Sequence, residues 1–170
     1  MRALPRIRIH LHQTEDVMSQ VTPPSFRVCH ITLDQAMPVR LNVLRRGTPA
    51  REAMYDGDSD AGTVHIGAMI EDRVVATSTW LIASWPNDAT KRAVQLRGMA
   101  VLDEMQHRGV GQALIATGLA HARSLSAVYV WAKARDSAIP FYERCGFTVV
   151  GDQFMEPASG LPHHLVLLQL

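Results

Sequence analysis

Leu96-Arg97-Gly98-Met99-Ala100-Val101 is followed, four residues on, by Gln106-His107-Arg108-Gly109-Val110-Gly111-Gln112-Ala113-Leu114. A β-rich run over 93–102 enters a turn holding two glycines. Apolar residues then recur at Val110, Leu114, Ile115, Leu119 and Ala122, close to helical spacing, which predicts a helix over 109–124. A strand that turns straight into a helix gathers free backbone N–H groups and the positive end of the helix dipole at one point. Gly109 and Gly111 let the main chain approach a ligand closely. The pattern predicts phosphate or pyrophosphate binding, although taken alone it also suits a helix start that binds nothing. A P-loop needs a Gly-Lys pair, which the chain lacks. A dinucleotide fingerprint needs a third glycine where Leu114 stands. What remains is Q-x-x-G-x-G, filled by Gln106, Gly109 and Gly111.

Downstream, 127–132 reads as a short apolar strand. Ser137 to Cys145 reads as a short helix capped by Ser137 and stopped by Gly146. Strands are predicted over 147–150 and 163–170, with a Pro/Gly-rich connection between them. Upstream, 26–31 alternates as a strand does, and Thr32 and Asp34 can cap a helix over 35–46 that ends at Gly47. The runs 63–71 and 74–84 form a hairpin through Asp72. Paired strands with helical crossovers imply an α+β fold built on a mixed sheet flanked by helices. Residues 26–170 suffice for one domain. Residues 1–25 alternate over 6–12 and carry Pro23-Pro24, so they read as an N-terminal extension: an edge strand, an arm, or a dispensable lead.

Composition agrees with one domain of 170 residues. Seventeen Lys and Arg against sixteen Asp and Glu leave a net charge of +1, which argues against a nucleic-acid-binding face but permits a local anion site. No apolar run approaches a membrane span, and the arginines near the N-terminus precede no apolar signal core. Cys29 and Cys145 read as reduced thiols of a cytoplasmic protein.

Phe141-Tyr142-Glu143 with Gly146-Phe147 completes a second motif, F-Y-E-x-x-G-F, downstream of Q-x-x-G-x-G-x-A-L. Together they resemble the GNAT superfamily of acyl-CoA-dependent N-acetyltransferases, strongly over 93–151, more loosely over 26–92, and not over 1–25. The resemblance implies a mostly antiparallel central sheet and acetyl-CoA as co-substrate, with no metal. It implies that Met99, Ala100 and Val101 pair with the pantetheine arm. Gln106, His107, Arg108, Gly109, Val110, Gly111 and Gln112 would cradle the pyrophosphate. A backbone N–H near Met99 would polarise the thioester carbonyl. Tyr142 would protonate the departing thiolate, a role suited to a phenol of ordinary pKa near ~10. Many relatives carry Asn seven positions before this tyrosine; here Arg135 stands there, to meet phosphate or solvent. Ser137 is a candidate for a cofactor hydrogen bond or a plain helix cap.

Many relatives also place a Glu base on the central strand, where this chain has Gln95 and Arg97. His65, a side-chain type that titrates in the right range, and His163 are the candidate bases, each with a structural role as its alternative. Arg97 is a candidate to meet a carboxylate on the acceptor, whereas Arg40, Arg45 and Arg46 read as a solvated helix face. Asp56 to Gly62 fails as a calcium loop at Ala61 and Gly67 and reads as a solvated loop. The resemblance thus predicts direct acetyl transfer to a primary amine of a small molecule, in a ternary complex, by a chain that can form a homodimer. The rival is a non-catalytic acyl-CoA-binding domain on the same fold, favoured by the missing strand carboxylate and opposed by Tyr142.

Overall fold

The computed structural model describes residues 25–170, so the N-terminal extension lies outside the described residues. Seven strands form one sheet in the order β1-β2-β3-β4-β5-β7-β6: β1 Arg27–Ile31, β2 Val64–Ile70, β3 Arg73–Ile82, β4 Ala93–Val101, β5 Tyr129–Arg135, β6 Thr148–Glu156 and β7 Leu161–Gln169. Neighbours are antiparallel except β4 and β5, which run parallel. Three helices complete the mixed α+β architecture: α1 Leu33–Leu44, α2 Val110–Ser124 and α3 Ile139–Arg144.

Thr32 starts α1 with a reciprocal capping box: its hydroxyl accepts from Gln35 N–H, and the Gln35 side chain accepts from Thr32 N–H. The helices cover opposite faces of the sheet. Consecutive β3 residues point to opposite sides; Thr79 meets Arg40 of α1, whereas Trp80 lies under Gly118 of α2. A Cβ on Gly118 would fall 1.9 Å from the Trp80 ring, so glycine lets α2 settle onto the core.

Two irregularities interrupt the ladder at the centre of the sheet. Thr77 pairs with Ala100 and Thr79 with Arg97, so Gly98 and Met99 together oppose Ser78. This is a β-bulge on β4, with Gly98 at φ +57°. The β4–β5 ladder also stops early. It runs from Ala93–Tyr129 to Leu96–Ala132, after which β4 continues along β3 and β5 along β7. The two strands part at the bulge.

The structure corrects three expected boundaries. The strand expected over 127–132 extends to Arg135, because β7 pairs with it throughout. The connection expected between 150 and 163 shrinks to 157–160: β6 passes through an irregularity at 151–153, with Gly151 at φ +76°, and resumes pairing at Phe154. Ser137 does not cap the helix. It sits inside a 3-10 turn, Asp136–Ala138, and α3 begins at Ile139 without a side-chain cap.

Candidate functional site

Where β4 leaves β5, a cleft of about 920 Å³ opens. Met99, Ala100 and Val101 form one bank, and Lys133, Ala134 and Arg135 the other. The β4 main chain beyond Leu96 has no β5 partner, so its edge groups are available to a ligand.

At the far end of β4 the chain makes a 3-10 turn, Asp103–Met105, and then the glycine turn. His107 and Gly109 both take positive φ, +58° and +77°, and Gly109 is the α2 N-cap. The N–H groups that open α2 have no acceptor within the helix, and Gln106, His107, Gly109, Val110, Gly111 and Gln112 all border the cleft. Arg108 is exposed and does not border it. Gln106 turns its amide back onto Val101 O (3.2 Å) and Asp103 Oδ1 (3.1 Å), which braces the turn. Gly111 has a packing reason too: a Cβ there would stand 3.0 Å from the Phe141 ring.

Tyr142 comes to the cleft from α3, buried, with its ring edge-on to Phe141 and Phe147 at centroid distances of 5.4 Å. Burial pushes its phenol well above the usual range, and Cys145 adds to the effect, so the proton stays on the oxygen at neutral pH. Burial also raises the Cys145 thiol, which keeps it from acting as a thiolate. Ser137 borders the cleft as an exposed residue.

The two histidines part company. His163 is buried at the cleft wall, beside Phe154, and its Nδ1 lies 2.9 Å from Leu161 O. A carbonyl only accepts, so Nδ1 donates, and Nε2 makes no hydrogen bond among the described residues. His65 does not border the cleft. Its Nε2 is 3.0 Å from Asp58 O and must donate, while Nδ1 accepts from Thr79 Oγ1 at 2.7 Å. Both ring nitrogens are engaged, and burial holds its pKa below the usual value. The geometry takes His65 out of the candidate bases and makes it a brace.

What it braces was not legible as a site. Arg40, expected on a solvated helix face, is fully buried. It donates to Asp58 Oδ2 at 2.5 Å, to Ala53 O at 3.0 Å and to Thr79 Oγ1. Asp58, expected in a solvated loop, is buried as well, and also meets Arg97 at 3.2 Å. Burial alone would raise its carboxyl; hydrogen bonds from Arg40 and Tyr55 N–H, with the charges of Arg40 and Arg97, outweigh that and lower it. Tyr55 stacks on three guanidiniums, with Arg40, Arg45 and Arg97 at 5.4, 5.4 and 5.6 Å from its centroid. Gly98 gives Arg40 its room: a Cβ would stand 2.7 Å from Arg40 Nε. Arg97 borders the cleft and is already tied to Asp58 and Asp56 O. Arg135, half-buried at the cleft, donates to Leu44 O at the end of α1. One signal was present. The buried stripe of α1 runs Ala36, Val39, Arg40, so an arginine occupies a core position of the i, i+3, i+4 pattern.

Among the described residues, no three His, Cys, Asp or Glu are grouped to hold a metal ion, and no helix is long and apolar enough to cross a membrane.

Comparison with known proteins gives the same picture. The chain is 24% identical over 137 residues to an uncharacterized N-acetyltransferase, YitI, of Bacillus subtilis, covering 81% of this chain and 91% of that protein. Among solved structures it is similar to FeeM, an N-acyl amino acid synthase from uncultured soil microbes (TM-score 0.72, 13% identity, 86% and 90% of the two chains). It is also similar to ElaA of Escherichia coli (0.67, 18%, 84% and 98%) and to an aminoglycoside 6'-N-acetyltransferase complexed with coenzyme A (0.62, 12%, 84% and 96%). The model of the acetyltransferase (GNAT) family matches residues 32–147. That span runs from the α1 cap through the parted strands and the glycine turn to Phe147 behind Tyr142, and on this ground the chain belongs to the GNAT family of acetyltransferases, whose chemistry is acyl transfer.

Proposed function

We propose that the protein moves an acetyl group from acetyl-CoA to a primary amine of a small molecule, directly and within one ternary complex. The observation that carries this is the parting of β4 and β5 beyond Leu96 and Ala132, with Tyr142 in the cleft it opens. The residues present fit a CoA thioester. The unpaired β4 edge suits the amides of the pantetheine arm, and the N–H groups from His107 to Gln112 suit the pyrophosphate. The structural neighbour complexed with coenzyme A supports the same use of the fold.

In this reading the amine nitrogen attacks the thioester carbonyl carbon, and a β4 N–H near Met99 receives the developing oxyanion. His163 Nε2 takes the proton the amine must lose, directly or through water. The carbon–sulfur bond then breaks, and Tyr142 gives its proton to the leaving sulfur. Burial keeps the phenol protonated at neutral pH, so it is present as a donor, and the same burial makes the proton harder to give up than that of a phenol in water.

The test is release of free thiol from acetyl-CoA across a panel of primary amines. Turnover with at least one amine is the expected outcome. Tight acetyl-CoA binding without thiol release for any amine would leave a binding module in place of an enzyme.

A further inference from the structure

We infer that the acceptor carries a carboxylate, received by Arg45, Arg97 and Arg135 around Tyr55; this rests on the acyl-transfer reading of the cleft.

All four residues border the cleft. Each guanidinium is held in place through a neutral main-chain oxygen: Arg45 Nε on Glu52 O, Arg97 on Asp56 O, and Arg135 on Leu44 O, one residue before Arg45. Such bonds orient a cation without neutralising it. Among the described residues, neither Arg45 nor Arg135 has a carboxylate within 4.0 Å. Asp58 is the counter-ion of Arg97, but it is shared with the buried Arg40. Glu156, also at the cleft, is paired with Lys133 at 3.1 Å. The wall therefore holds more guanidinium charge than its carboxylates balance, in a partly desolvated space. Unrelieved like charges there are costly, and a ligand anion would remove the cost.

In this reading the phosphates of acetyl-CoA belong to the glycine turn. Arg97 sits just before the bulge, and the glycine turn follows the end of β4. About 16 Å of strand separates Arg97 from Leu102, before the turn is reached. Arg97 thus lies along β4 away from the pyrophosphate turn, and the Arg45 guanidinium shares its Tyr55 ring, so this pair faces the part of the cleft where an acceptor would present itself to the thioester. A planar carboxylate matches the guanidinium fork. The acceptor class is an amine that also bears a carboxylate, as an amino acid does.

The experiment compares kcat/KM for matched sets: an α- or ω-amino acid, its carboxamide, and the amine left when the carboxylate is removed. The acid should lead its partners on the order of ten- to a hundredfold, the range expected for a charged hydrogen bond. Arg45→Gln should erase that lead by raising KM for the acid, with KM for acetyl-CoA unchanged, and Arg45→Lys should restore part of it. Amides or decarboxylated amines that match or exceed the acids would overturn the inference. If no acceptor turns over, the acyl-transfer reading fails separately. N-acetyl amino acids titrated calorimetrically into the CoA-loaded protein then decide the anion site: binding of the acid but not its amide, weakened by Arg45→Gln, sustains it. Equal binding, or none, overturns it.

Discussion

The cleft has two ends built on opposite plans. At the turn end the ligand-facing groups are main-chain N–H groups, presented by His107 to Gln112 over a helix start. At the other end they are the side chains of Arg45, Arg97 and Arg135, the first two stacked on Tyr55, and Arg97 tied with the buried Arg40 to the single buried carboxylate of Asp58. A main-chain site depends on local backbone geometry and tolerates changes of side chain. A side-chain site depends on every member of its network being present, because a buried charge that loses its partner has no water to turn to.

The largest effect should come from breaking the side-chain end. Arg40→Met leaves the buried Asp58 with Arg97 as its one remaining cation among the described residues and should cost about 3 kcal/mol in denaturant unfolding. The folded fraction should still bind acetyl-CoA, since the turn end does not use Arg40. Loss of that binding in folded protein would show that the two ends are not separate. Tyr142→Phe acts between them. It should lower kcat by about a hundredfold or more, with little change in KM for either substrate. An unchanged kcat would remove Tyr142 from the mechanism.

Gly109→Ala addresses the turn end alone. A Cβ there meets only Gln112 Oε1 at 3.8 Å, so the cost is the left-handed backbone at φ +77°. It should take about 1–2 kcal/mol from stability. It should also raise KM for acetyl-CoA but not for the acceptor; a change confined to the acceptor would reverse the assignment of ends.

The smallest effect is in pH. Burial holds the folded pKa of His65 below its ordinary 6.5, so below that value the unfolded chain binds the extra proton. Stability should rise with pH through this range and fall as pH drops toward the folded value. His65→Asn should flatten the melting-temperature slope between about pH 6.5 and 5. An unaltered slope would mean that His65 is not held neutral by the network.

The same contrast explains how much of the molecule is legible in its sequence. The strand, glycine turn and helix of 93–124 are legible because their signals are local: β-rich residues, then glycines, then apolar residues at helical spacing. Tyr142 is legible because it falls in a short contiguous motif. Arg40 and Asp58 look solvated in the sequence because each is polar in its own segment. Their burial comes from meeting each other across 18 residues of chain, and Arg97 across another 39. Arg135 is placed by the α1 carbonyl of Leu44, 91 residues away. The 151–162 stretch reads as a connection because its two glycines and two prolines are turn signals; pairing with β7 overrides them outside 157–160.

By itself, then, the sequence determined the element order, the main-chain turn and the family resemblance, all of which rest on residue spacing within one or two elements. Tertiary structure decided which histidine keeps a free nitrogen at the cleft, which arginines are buried, and where their charge is left unbalanced. Those outcomes depend on which distant groups come within hydrogen-bonding distance, and on how much water is excluded when they do. Neither quantity is a property of any one segment.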